Sequence, residues 1–356
     1  MTPNGPLSIQ TIGPQALPRT TEAMEELLKE HYYRVDPAEY FERRLWGIVA
    51  LADMKSGAVN WDSADGDSLF AQFKGVLKNK RIALDVPPGE TLSSRTMASI
   101  ESYTLMQHVI ETALRLFVAS EERVTGSSLM LKLVNMRNAT EFRNALRPLL
   151  GPAARHKVQT VMFPPQLRGD ESAETKQEMK QHLAFLTEWL SFFARFYSDD
   201  KFNGAQGNNQ LKHGATASPR ADLGVVLHIA DEPPQNFSED DWEAAAAIVN
   251  AESVSYVVQE RGAKDTVPGL NLRTDNSDPA TNLAIAQVGI TIVRSLWQMS
   301  QVVAFPNTAR NYEYDYSPMP NELFEATTKP PRAVVQPLLK PAPRQPQRGQ
   351  QRKRRR

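Results

Sequence analysis

Two groups of residues in this chain of 356 have the types and spacing to do chemistry. The first is the run Asn209-Gln210-Leu211-Lys212-His213-Gly214. His213 is the best placed of the six histidines, because it lies in a polar, glycine-containing stretch where backbone can approach a ligand closely. A cationic neighbour, Lys212, disfavours the imidazolium and so favours the neutral form that a general base requires. Asn209, Lys212 and His213 are therefore the candidate catalytic group. The same residues also suit an ordinary helix end, where Lys and His complement the dipole and Gly214 is a good cap.

The second group is cationic. Between Lys329 and Arg356 there are ten Lys or Arg residues and no acid. Lys340, Arg344, Arg348, Arg352, Lys353, Arg354, Arg355 and Arg356 form a comb whose charges can each approach a phosphate. Such a comb makes sequence-independent contact with RNA or DNA, or serves as an address read by a receptor. Its bland counterpart is a solvated tail that aids solubility or pairs with the rest of the chain. The formal net charge of zero hides this asymmetry: outside the tail, 31 bases face 41 acids, a net of −10. An acidic body carries a basic tail.

Other residues point to less. His108 and His182 lie within long apolar patterns and read as packed or surface residues. Glu101 with Glu111, and Glu174 with Glu178, lack the Glu-x-x-His unit of a di-iron bundle. The chain has no cysteine, and no phosphate loop, dinucleotide fingerprint, nucleophile elbow or zinc helix is present, so neither a metal nor a cofactor is expected. Tyr312, Tyr314 and Tyr316 alternate, and can stack on bases or pin the C-terminus to the body.

The elements that must position these groups are mostly helical. A hydrophobic share of 41% and a charged share of 23% permit a sizeable core. Met1 to Thr20, with four prolines and no apolar stretch, reads as a disordered leader over residues 1–19 rather than a signal peptide. Helices are predicted over Thr20–Tyr33, Asp36–Lys55, Asp67–Lys78, Leu92–Ala119, Leu129–Val134, Asn138–Leu150 and Ala173–Tyr197. The two longest each carry an apolar stripe, one from Met97 through Tyr103 and Ile110 to Phe117, the other from Met179 through Leu186 to Tyr197. Such stripes bury each other most simply in an antiparallel bundle.

After Asp199 the character changes. Strands are predicted at Gly224–Ala230, Val254–Gln259 and, more weakly, Leu270–Arg273, with a helix capped by Ser238 running through Asn250 between them. Asp278-Pro279 opens a last helix to about Val303. Beyond Pro306 prolines accumulate and periodicity is lost, so residues 306–356 read as a disordered, Pro-rich basic tail. The expected fold is thus mainly α: an antiparallel helical bundle over 20–215, a small C-terminal α/β segment over 216–305 ending in a long helix, and disordered termini. The most apolar late segment, Ala284–Val293, is too short to span a bilayer, so a soluble cytoplasmic protein is expected, or a nuclear one if the chain is eukaryotic.

Two long amphipathic helices followed by the Asn209, Lys212 and His213 cluster resemble the HEPN superfamily of helical bundles, over residues 92–214. The resemblance implies a helical-bundle fold that dimerises and cleaves RNA without a metal, using an arginine and a histidine with four to six residues between them on one helix. No arginine stands at that distance here: Arg147 to His156 leaves eight residues and Arg220 to His228 leaves seven. The expected function is accordingly a non-enzymatic nucleic-acid-associated or adaptor protein. Its basic tail would contact RNA or DNA, and its bundle would meet a protein partner or a second copy. The alternatives are an HEPN-like ribonuclease centred on His213 and a purely structural interaction module.

Overall fold

Aspartate followed by proline starts two of the helices, and both starts have the same local cause. Proline supplies a pre-set φ and lacks the amide that would go unpaired, while the aspartate side chain accepts from the amides that follow. Asp36 Oδ1 accepts from the Ala38 amide at 2.8 Å, and Asp278 Oδ2 from the Thr281 amide at 2.9 Å. The computed structural model describes residues 26, 29, 32–53, 94–122, 129–136, 138–163, 172–198, 217–227, 247–260, 266–267, 269–305, 333–339 and 342–343.

The helices are α1 (Pro37–Asp53), α2 (Ser94–Glu122), α3 (Leu129–Asn135), α4 (Ala139–Leu146), α5 (Ala154–Met162), α6 (Ala173–Ser198) and α7 (Pro279–Ala304). A single 3-10 turn, Arg147–Leu150, follows α4. Strands β1 (Ala217–Leu227), β2 (Ala247–Glu260), β4 (Gly269–Asn276) and β5 (Ala333–Leu339) form an antiparallel sheet in the order β1-β2-β4-β5. The short β3 (Thr266–Val267) and β6 (Ala342–Pro343) pair with each other. The protein is mostly helical with a small sheet, as its sequence pattern implies. None of the described helices is long and apolar enough to cross a membrane.

Helix α2 is the centre of the molecule, packing on α1, α7, α6 and the sheet. It is buried on more than the one stripe its apolar periodicity suggests. Tyr103, Met106, Ile110 and Leu114 are buried, and so are Ser99, Ser102, Leu105, Val109 and Ser120. The serines meet α7: Ser120 Oγ lies 3.3 Å from Ser300 Oγ, and Asn282 Nδ2 donates to Ser102 Oγ at 3.3 Å. Because Ser300 Oγ already donates to the Leu296 carbonyl at 2.7 Å, Ser120 is the donor in the first pair. Each contact joins residues 180 apart in sequence, so α2 and α7 run parallel. Helix α1 runs against α7, with Tyr33 beside Trp297 and Phe305 while Asp36 and Glu42 bind Arg294. One apolar core therefore joins α7 to the helices of the expected bundle.

Several elements differ from expectation. The helix predicted through Asn250 ends, at the latest, where β2 begins at Ala247. The alanine-rich run favours helix locally, but Ala247, Ile248 and Val249 instead pair with Leu227, Val226 and Val225 of β1. Strand β1 starts seven residues before the predicted Gly224. Within the tail predicted to be disordered, Ala333–Leu339 is a strand, because β4 offers an edge to its Val334, Val335 and Leu339. Pro337 is tolerated there since β5 is outermost and the register shifts between Leu270 and Asn271 opposite. Helix α5 was not anticipated. The predicted helix at Asp67–Lys78 lies outside the described residues.

Two predictions follow from this packing. At Gly289 in α7, an added Cβ would stand 2.4 Å from Cγ1 of Val109, a stiff β-branched side chain. Gly289→Ala gains about 1 kcal/mol of helix propensity but meets an overpacking cost of about 1–3 kcal/mol, so denaturant unfolding should show net destabilisation. Adding Val109→Ala should then cost less than it does alone. His182, 2% exposed and flanked by the rings of Phe163 and Phe185, has its pKa pushed down to about 4 by burial. Above the ordinary value near 6.5 the ring is neutral in both states. Between pH 6.5 and 4 only the unfolded chain takes the proton, so stability falls as pH falls, by on the order of 3 kcal/mol. In His182→Leu that part of the pH dependence should be missing from unfolding curves.

Candidate functional site

Of the residues singled out by sequence, Asn209, Lys212 and His213 lie outside the described residues, as do Lys340, Arg344, Arg348 and 352–356. Lys340 falls in sequence between two described strands, β5, which pairs with β4, and β6, which pairs with β3.

Where β2, β4 and α2 meet, the described residues hold a buried polar centre that the sequence reading did not find. It begins with strand alternation: Arg273 and Asp275, two apart on β4, face the same side, and Tyr256 and Val254 on β2 oppose them in register. Asp275 is 0% exposed. Its Oδ2 accepts from Tyr256 Oη at 2.5 Å and from Tyr103 Oη of α2 at 3.2 Å, and its Oδ1 accepts from Arg273 Nε at 2.7 Å. A carboxylate removed from water survives only with such partners. Burial raises the pKa of both phenols, and the negative charge of Asp275 raises them further. Neither tyrosine can act as a phenolate near neutral pH. Burial works against the charge of Arg273, but Asp275 and the two phenols outweigh it and hold the guanidinium protonated.

A second knot lies directly beside the first. Ser99 Oγ donates to the Ser277 carbonyl at 2.9 Å, and Ser277 Oγ donates back to the Ser99 carbonyl at 3.1 Å. Asn282 Nδ2 donates to Ser277 Oγ at 3.0 Å, which brings the first turn of α7 into the same network. Together these bonds set the position of α2 against the end of β4 and the start of α7. Their chemistry is that of positioning: both oxygens of the carboxylate are occupied and solvent does not reach it.

Charged groups nearer the surface tie other helices together. Arg44 of α1 donates to Glu101 Oε2 at 3.1 Å and lies 3.2 Å from His108 Nδ1, both on α2. Since a guanidinium only donates, Nδ1 is the unprotonated nitrogen of His108. Arg115 donates to Glu111 at 2.8 Å and to the Met136 carbonyl at 2.5 Å, and its guanidinium carbon lies 4.8 Å from the Phe142 ring centroid. Lys157 of α5 pairs with Glu121 of α2. By contrast, one face of α1 carries large side chains in the open. Tyr40 and Trp46 are each 62% exposed and stand on either side of the exposed Arg43.

Compared with family models, curated proteins and solved structures, the chain matches none.

Asp275→Asn should be the most damaging change at the buried centre, because it leaves Arg273 without its countercharge; a loss of about 3–5 kcal/mol is expected in equilibrium unfolding. Tyr103→Phe removes only the longer phenol bond and should cost about 1 kcal/mol. Equal effects from the two would contradict the assignment of Asp275 as the hub.

Proposed function

We propose that this protein is a non-enzymatic polyanion-binding adaptor, whose basic C-terminal run contacts RNA or DNA without sequence readout. The observation that carries this reading is the separation of charge. Eight Lys and Arg residues lie between Lys340 and Arg356 with no acid among them, while the chain before Lys329 has a net charge of −10. An acidic body repels a phosphate backbone, so contact falls to the comb, and each neutralised phosphate adds affinity by releasing counterions. Pairing of β5 to β4 supports the reading, since the strand that precedes Lys340 in sequence is the outermost of its sheet. For the adaptor role, support comes from α1, where Tyr40, Arg43 and Trp46 are residue types enriched in the energetic centres of protein interfaces.

The test is binding of a fluorescent oligonucleotide across a range of salt concentrations. With all eight charges engaged, log K should fall against log salt with a slope approaching about −7 on duplex DNA and about −6 on single strands. Replacing Arg344, Arg348 and residues 352–356 by Gln, which spares β5 and β6, should flatten the slope to about −1 and weaken binding about a thousandfold or more in dilute salt. Oligonucleotide affinity that is unchanged in this variant, or absent from the parent protein, overturns the proposal.

A further inference from the structure

We propose that β5 is exchangeable between copies of this chain, so that Ala333–Leu339 of one molecule completes the sheet of a second molecule at the same β4 edge. Three observations carry this. First, β5 is the outermost strand of its sheet, paired on one side to β4 alone. Secondly, its ladder is interrupted, because the register shifts between Leu270 and Asn271. Thirdly, 28 residues separate the end of α7 at Ala304 from the start of β5 at Ala333. A link of that length spans at most about 95 Å, enough to reach a neighbouring molecule.

The pairing made in trans would be the pairing made in cis, residue for residue: Leu272 opposite Gln336, Arg273 opposite Val335, Thr274 opposite Val334. Strand β6, two residues beyond β5, exchanges with it and pairs with β3 of the second molecule, so no contact is gained or lost and the balance is set by concentration. The link holds β5 near its own sheet at an effective concentration on the order of 1 mM, and reciprocal exchange becomes comparable when the chains reach that level. Two copies that each lend a strand form a closed two-fold dimer. The inference concerns the folded body alone and does not depend on the polyanion reading.

The chain has no cysteine, which makes a direct test available. Opposed residues of an antiparallel pair lie close enough to be joined by a disulfide after small adjustment. In Leu272→Cys/Gln336→Cys, mild oxidation of dilute protein should close a disulfide within one chain, establishing the register. Leu272→Cys chains are then mixed with Gln336→Cys chains, and oxidised briefly at about 1 mM and at about 10 μM, the first close to the effective concentration from the link and the second about a hundredfold below it. A mixed dimer should form at the higher concentration, in about twentyfold greater yield than at the lower, and in preference to a mixture of Leu272→Cys with the off-register Leu339→Cys. No intrachain disulfide in the double variant would remove the premise. A mixed-dimer yield no greater than that of the off-register pair at either concentration would show that β5 does not exchange.

Discussion

A charge that cannot reach water has to be answered by the protein around it, and in this fold that charge is Asp275. Its partners come from two strands and one helix: Arg273 from its own strand, Tyr256 from β2 and Tyr103 from α2. The first two are met within the sheet, but the Tyr103 bond forms only if the sheet sits on α2 at one height and one rotation. Apolar packing tolerates small slides, whereas hydrogen bonds to a buried carboxylate do not. The serine and asparagine bonds alongside transmit the same constraint to α7. Through Ser99, Ser277 and Asn282 the helix that follows the sheet is fixed in register with the helix that precedes it by 180 residues. A bundle-plus-sheet architecture that could pack in several ways is thereby held in one.

The parallel pairing of α2 and α7 depends on side-chain size as well as on polarity. Small residues line the contact, with Ser99, Ser102 and Ser120 on one helix and Gly289 and Ser300 on the other, all buried. The close approach at Val109 and Gly289 lets the helices interlock, and each serine that enters the contact finds an acceptor within its own helix or across it. Polar atoms satisfied in this way add specificity without the cost of stranded donors. Large side chains complete the same core, including Trp189 and Phe193 of α6 and Phe142 of α4, and Phe193 reaches Gly289 itself.

How much of this was legible in the sequence depends on how local its cause is. The starts of α1 and α7 are written in two adjacent residues each, and the long apolar stripes of α2 and α6 repeat within themselves, so these elements were readable. Helix α5 was not. It opens on Ala153, whose side chain provides no cap, and the polar run Arg155, His156, Lys157 masks the buried Ala154, Val158, Val161 and Met162. Strand β5 was unreadable for a different reason, since its stability lies in a partner strand about sixty residues away, and its prolines speak against any regular structure. The polar centre was the hardest case. Tyr103 looked like one more member of an apolar stripe, and the acceptor that makes its hydroxyl matter is 172 residues further on. As for the candidate site, the charge asymmetry of the chain is a matter of composition and needs no structure, whereas the cluster at His213 had only local residue types behind it, and these also describe a helix end.

The shared direction of α2 and α7 has an electrostatic consequence. Peptide dipoles in an α-helix add, leaving fractional positive charge at the amino end, and two helices side by side with the same polarity bring like ends together. Here those ends are the first turns at Ser94 and Pro279, and the carboxylate of Asp278 caps the second. An anionic side chain at that pole opposes the accumulated partial charge, as a counterion would.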